Sequence, residues 1–258
     1  MAMCNFGAVF AELTPQQIVN QFNSLNGPNG WSFSSGSNTE RYFASSNAAF
    51  TPDLSAYHAY ARGTLANSFR TFCVEPNSSS VAGSGAAKLN FTDGNSTRVS
   101  IDNKAVSVGA AFLYQQFATA SFTTSLYDYT NVSQRSSDYS SLLTTLRALM
   151  TPQGALNWTT NKYLDYLLSL NDSKEYWTGV YNPGERYREI GDYAIFVMNI
   201  SNSSGTGEYQ DFLYIARADY GNSSTDAPEP ATLLLWAMGA GAFGLGYRRR
   251  QLKKNALA

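Results

Sequence analysis

Imidazole chemistry in this chain rests on one residue: His58, in the stretch Tyr57-His58-Ala59-Tyr60, is the sole histidine of 258 residues. A zinc site assembled from several histidines is therefore excluded, and two cysteines, Cys4 and Cys73, add little toward one. A Ser-His-Asp hydrolase would have to run through His58, and the G-x-S-x-G turn that presents a nucleophilic serine occurs nowhere. No phosphate-binding P-loop is present. The runs SGSNTE (35–40) and GNSSTDAPE (221–229) lack the alternating Asp/Asn ligands that a calcium loop places ahead of its terminal Glu, so no metal or other cofactor is expected. A pair of carboxylates for glycoside hydrolysis leaves no local spacing to find, and none of the 19 acidic residues is singled out. Trp31, Trp158 and Trp177 could stack on sugars, but large aromatic residues are mostly core, and that is the expectation for all three.

Charge narrows the classes further. Lysine and arginine number 18, the net charge is -1, and charged residues make up 14% of the chain. Outside the last dozen residues the positive charge is scattered, with no basic field for nucleic acid. Polarity comes instead from Ser, Thr, Asn and 17 Tyr, the uncharged, hydroxyl-rich surface common in exported proteins. Sequons recur, at Asn77, Asn131 and Asn171 among others, as chance dictates in a chain so rich in Asn, Ser and Thr.

The opening MAMCNFGAVFAELT is short and apolar and ends on a Val9-x-Ala11 step, which reads as a secretory signal peptide over 1–11 cut after Ala11. No Lys or Arg precedes the apolar part, so an ordinary apolar N-terminus is the alternative. Cleavage would remove Cys4 and leave Cys73 alone, with no internal disulfide and a thiol that is either buried and inert or has a special task.

The elements that would position such residues form one mixed domain over 12–220. LTPQQIVNQFNSLNG (13–27) predicts a helix, with Thr14 and Gln17 as a capping box, Pro15 in the first turn, and Ile18, Phe22 and Leu25 on one face. RTFCVEP (70–76) reads as a short strand. KLNFTDGNSTRVSID (88–102) reads as a hairpin turning at Asp93-Gly94. Helical spacing follows at 107–122, 136–150 and 161–170. DYAIFVMNI (192–200) and QDFLYIARADY (210–220) predict two late strands that pair antiparallel. Residues 28–66 give weak signals. The fold class is thus α+β, an antiparallel, sandwich-like β part with a helical middle, in which an early strand pairs with a late one.

The chain then changes character. Residues 221–230 are a polar linker ending in Pro228-Glu229-Pro230. Residues 231–247, ATLLLWAMGAGAFGLGY, carry no charge, and as a helix would span roughly 26 Å, near the short limit for a bilayer core. Arg248, Arg249 and Arg250, with Lys253 and Lys254 beyond, make 248–258 a basic cytoplasmic tail under the positive-inside rule. The physical expectation is an exported domain anchored in the inner membrane through a transmembrane helix over 231–247.

Pro228-Glu229-Pro230, an apolar span and an arginine cluster, in that order at a C-terminus, resemble the PEP-CTERM sorting signal of Gram-negative bacteria that make exopolysaccharide. The resemblance implies export, transient anchoring and recognition by an exosortase, a membrane Cys protease-transpeptidase that processes the tail. It covers about 30 residues and leaves the activity of the domain in front undefined. That domain has a fainter likeness, through TFCVEP (71–76), AAFLYQQF (110–117) and TLRALM (145–150), to the thioester-type domains of surface adhesins. In those, a strand Cys bonds the side chain of a helix Gln. Cys73 matches the cysteine, but Arg147 stands where the Gln belongs, and Gln115, Gln116 and Gln153 are not at the matching place. The expectation is a non-enzymatic surface or matrix protein that interacts with exopolysaccharide. A covalent adhesin with a Cys73 thioester and a secreted polysaccharide hydrolase are the alternatives.

Overall fold

Thr14 opens the first helix with the reciprocal pair its sequence implies. Its N–H donates to Gln17 Oε1 at 2.8 Å, and Gln17 N–H returns a bond to Thr14 Oγ1 at 3.3 Å. The helix α1 (Pro15–Ser24) buries Ile18, Val19 and Phe22. This computed structural model describes residues 13–24, 31–35, 41–45, 54–62, 68–74, 83–90, 106–150, 161–182, 190–201 and 211–220. The chain divides into a unit Met1–Tyr220 and a second unit Gly221–Ala258, the latter outside the described residues.

After α1 come β1 (Trp31–Ser35), β2 (Arg41–Ser45), β3 (Ser68–Thr71) and β4 (Gly83–Asn90). Four helices follow: α2 (Val108–Ala118), α3 (Val132–Leu149), α4 (Lys162–Leu170) and α5 (Lys174–Thr178). Two strands close the unit, β5 (Tyr193–Ser201) and β6 (Phe212–Arg217). The strands form one antiparallel sheet in the order β3-β2-β1-β4-β5-β6. The hinge of that order is β4. Its first residues pair with β1 (Phe33 opposite Gly83), and its last with β5 (Leu89 opposite Met198, Asn90 opposite Val197). An early strand thus pairs with a late one, as the sequence implies.

The sheet then closes on itself. Just beyond β3, Cys73 stands opposite Phe212 in an antiparallel bridge, flanked by Val74 N–H to Asp211 O (3.0 Å) and Leu213 N–H to Phe72 O (3.3 Å). The two end strands therefore meet. Where two facing sheets were expected, a single sheet curls into a ring. Its inner face is filled by side chains of the sheet and its neighbours, because Phe43, Phe69, Tyr214 and Phe196 meet one another there. Tyr57 and Phe22 join them, with ring centroids 4.9 Å from Phe69 and 5.8 Å from Tyr214 respectively. The outer face of β6 is buried too, so β6 is buried over Phe212–Ala216 and exposed only at Arg217.

The outer layer is α2, which buries eight of its eleven residues and is apolar almost all round. Ser107 caps it by accepting from Ala110 N–H at 3.1 Å. Gly109 is what lets α2 approach its neighbours. A β-carbon there would lie 3.0 Å from Trp177 O and 3.1 Å from a Leu167 methyl. Trp177 is core, as expected, with its indole N–H on Asn171 O at 2.8 Å. The Asp93-Gly94 turn, Trp158 and the whole of 231–247 lie outside the described residues. Among the described residues no helix is long and apolar enough to cross a membrane.

Candidate functional site

Cys73 is a buried thiol, 2% exposed, on the seam where the ring closes. Arg147, in the last turn of α3, reaches this spot and donates from Nε to Cys73 O at 3.2 Å. A guanidinium has no acyl carbon for a thiolate to attack, and here it binds the carbonyl instead. Gln115 and Gln116 bond each other (Nε2 to Oε1, 2.7 Å), and Gln153 is outside the described residues.

Around Cys73 the seam is stitched by hydroxyls. Residues 72–74 pair directly with β6, but nearer the start of β3 the strands splay, and the segment 54–62 wedges in. Arg70 N–H donates to Ala61 O at 2.7 Å. The remaining gap is closed by phenols from both faces. Tyr114 on α2 donates to Leu213 O at 3.0 Å and meets the Tyr57 hydroxyl at 3.1 Å, and Tyr57 accepts from Ile215 N–H at 3.1 Å. Thr71 Oγ1 also donates to Leu213 O, and Tyr139 on α3 donates to Thr71 O at 2.6 Å. Each phenol thus bonds a buried main-chain group of β3 or β6, as buried backbone requires. Burial pushes the Tyr57 and Tyr114 hydroxyls well above the ordinary phenol range. They stay neutral at any physiological pH and serve as fixed hydrogen-bonding groups, not proton carriers.

The hydrolase alternative called for His58 beside a serine or for a close carboxylate pair. His58 is exposed, and its Nδ1 accepts from Tyr60 N–H at 3.3 Å. The buried carboxylate of Asp138 is tied to Lys162 Nζ (2.6 Å), Gln134 Nε2 (3.0 Å) and Asp128 N–H (2.9 Å). It joins α3, α4 and the segment between α2 and α3. Asp128 begins the turn that Asn131 converts into the start of α3, accepting from Thr130 and Asn131 N–H and from the Thr130 hydroxyl. Among the described residues, no group of three or more His, Cys, Asp or Glu is placed to hold a metal.

One cluster escaped sequence reasoning. The guanidinium carbon of Arg70 (β3) sits 4.0 Å from the centroid of the Tyr60 ring, and that of Arg135 (α3) 4.9 Å from it. Arg62 belongs to the same turn as Tyr60, with its Nε on Tyr57 O at 2.9 Å and its carbonyl accepting from Arg70. No spacing could announce this, because Arg135 lies more than 60 residues beyond the neighbouring segments that carry Tyr60, Arg62 and Arg70.

Pro228, Glu229, Pro230, Arg248, Arg249 and Arg250 lie outside the described residues. Residues 226–250 match the model of the PEP-CTERM protein-sorting motif. The chain therefore carries at its C-terminus the signal of an exported, exosortase-processed protein. No curated protein and no solved structure matches the chain.

Proposed function

We propose that residues 12–220 form a non-catalytic domain that the C-terminal signal delivers to the cell surface or extracellular matrix, where it associates with exopolysaccharide. The observation that carries the reading is the sorting motif at 226–250. In this reading the apolar span 231–247 holds the chain in the inner membrane with the domain outside, Arg248, Arg249 and Arg250 fix its orientation, and an exosortase acts at Pro228-Glu229-Pro230. The internal bonding of the domain supports a non-enzymatic role. The groups that could do chemistry at the seam and between the helices (Tyr57, Tyr114, Asp138, Arg147) hydrogen-bond to other parts of the fold. Cys73, beside an arginine in place of an amide, is an inert core thiol.

The test is made in the source cell. The full chain, the chain lacking 226–250, and the chain with Pro228, Glu229 and Pro230 all changed to Ala are followed by fractionation and intact mass. The full chain is expected in the envelope or matrix, at a mass shortened near the motif, and retained by exopolysaccharide. The two variants should lose that processing. Equal mass and equal distribution of all three would overturn the proposal.

A further inference from the structure

We infer that the cluster of Arg62, Arg70 and Arg135 about Tyr60 is a binding site for a carboxylated, uronate-type glycan. The inference rests on the matrix role proposed above and names the ligand chemistry for it. Lysine and arginine are sparse in this chain, and five of the 18 lie in the last eleven residues. Two of the rest, Arg70 and Arg135, nevertheless bring their guanidinium carbons within 5 Å of a single ring centroid, and Arg62, whose carbonyl accepts from Arg70, lies in the same turn as that ring. Bringing like charges together opposes folding. The electron-rich face of Tyr60 offsets part of that cost, as does the nearby carboxylate of Asp128, which feels the charge of Arg135.

The arrangement is also held in place. Arg70 Nη1 donates to Arg62 O (3.3 Å), Arg62 Nε to Tyr57 O (2.9 Å) and Arg135 Nη1 to Tyr129 O (3.3 Å). The Tyr60 hydroxyl meets that of Tyr127 at 3.0 Å. Main-chain carbonyls orient a guanidinium without removing its charge, so the planar forks are pre-organised, the state in which arginine binds planar carboxylates two bonds at a time. The site is reachable, since Arg62 and His58 are exposed while Tyr60 and Arg135 are half-buried at its rim. Arg70 lies beneath them at 9% exposure and supplies field more than contact.

Binding is measured by titration calorimetry on the full chain in non-ionic detergent. Arg248, Arg249, Arg250, Lys253 and Lys254 are each changed to Gln so that the basic tail contributes nothing. The probes are polygalacturonate and neutral dextran. Polygalacturonate should bind, more weakly as salt rises, and dextran should not. Arg62→Gln and Arg135→Gln should each weaken polygalacturonate at least tenfold, and Arg135→Lys should recover only part of the loss. Lys174→Gln, on α5, should leave it unchanged. Near-UV circular dichroism establishes that each variant is folded. Absent binding of polygalacturonate, equal binding of dextran, or arginine variants that bind as the parent does would overturn the site. None of those outcomes touches the delivery reading, which stands or falls on the effect of deleting 226–250 in the cell.

Discussion

Replacing Tyr114 by Phe tests the claim that hydroxyls close the ring. The substitution keeps the ring and removes one oxygen from a fully buried position. That oxygen donates to Leu213 O and meets the Tyr57 hydroxyl. Leu213 O keeps its bond from Thr71, so its loss is that of one ordinary net hydrogen bond, about 1 kcal/mol. Tyr57 fares worse. It already accepts from Ile215 N–H, and with the Tyr114 hydrogen committed to Leu213, its own hydrogen goes to Tyr114. In the variant that donor is stranded in a dry seam, which costs about 1–3 kcal/mol. The expected destabilisation is thus about 2–4 kcal/mol, or roughly 4–16 °C in Tm for a domain of this size. It is read by thermal and urea unfolding of the full chain in mild detergent, followed by near-UV circular dichroism. Tyr166→Phe, which alters a half-exposed phenol, serves as the control and should change stability by no more than about 0.5 kcal/mol. Because Tyr57 and Tyr114 share a bond, the pair Tyr57→Phe and Tyr114→Phe should be non-additive by at least about 0.5 kcal/mol. A Tyr114→Phe chain as stable as the parent, or strict additivity with Tyr57→Phe, would refute the stitched seam.

Two further predictions concern Asp128 and Cys73. The Asp128 carboxyl is held below the ordinary carboxylate range, first by Asn131 N–H and then by the hydroxyl and N–H of Thr130. Its stabilising contribution is therefore complete above about pH 4 and lost as pH falls through its lower folded value. Asp128→Asn keeps an acceptor but no charge, so urea midpoints measured below pH 4 should fall less steeply than in the parent, and an unchanged slope would remove this assignment. For Cys73, the intact mass of the folded chain should show no deficit of one ammonia, methylamine should add nothing, and iodoacetamide should label the thiol only after unfolding. A methylamine adduct would establish a thioester and overturn the inert-core reading.

The elements with a strong local signal could be read from the chain. The Thr14-Gln17 box, the helices over 107–122, 136–150 and 161–170, and the β5-β6 pair each depend on residues within a few positions of one another, so spacing and capping chemistry are sufficient. β1 and β2 lay in a stretch of aromatics mixed with Ser, Gly and Asn, and α5 is only five residues long, so neither carried a legible period. The start of β4 reads Gly-Ser-Gly-Ala-Ala, residues with little strand preference, and it is a strand because β1 and β5 supply partners on both sides.

The tail and the domain divide along the same physical line. Address is a linear property: Pro228-Glu229-Pro230, an uncharged span and three arginines act in order along the chain, so the sequence alone determined where this protein is sent. It also determined that imidazole and thiol chemistry would be scarce, since composition cannot be changed by folding. Only the tertiary structure decided that the sheet closes, that Tyr57 and Tyr114 meet across 57 residues of chain, that Arg147 lies on Cys73, and that Arg70 and Arg135 share the Tyr60 ring. Those contacts join segments far apart in the chain. Long-range closure leaves no periodic trace in the residues it joins.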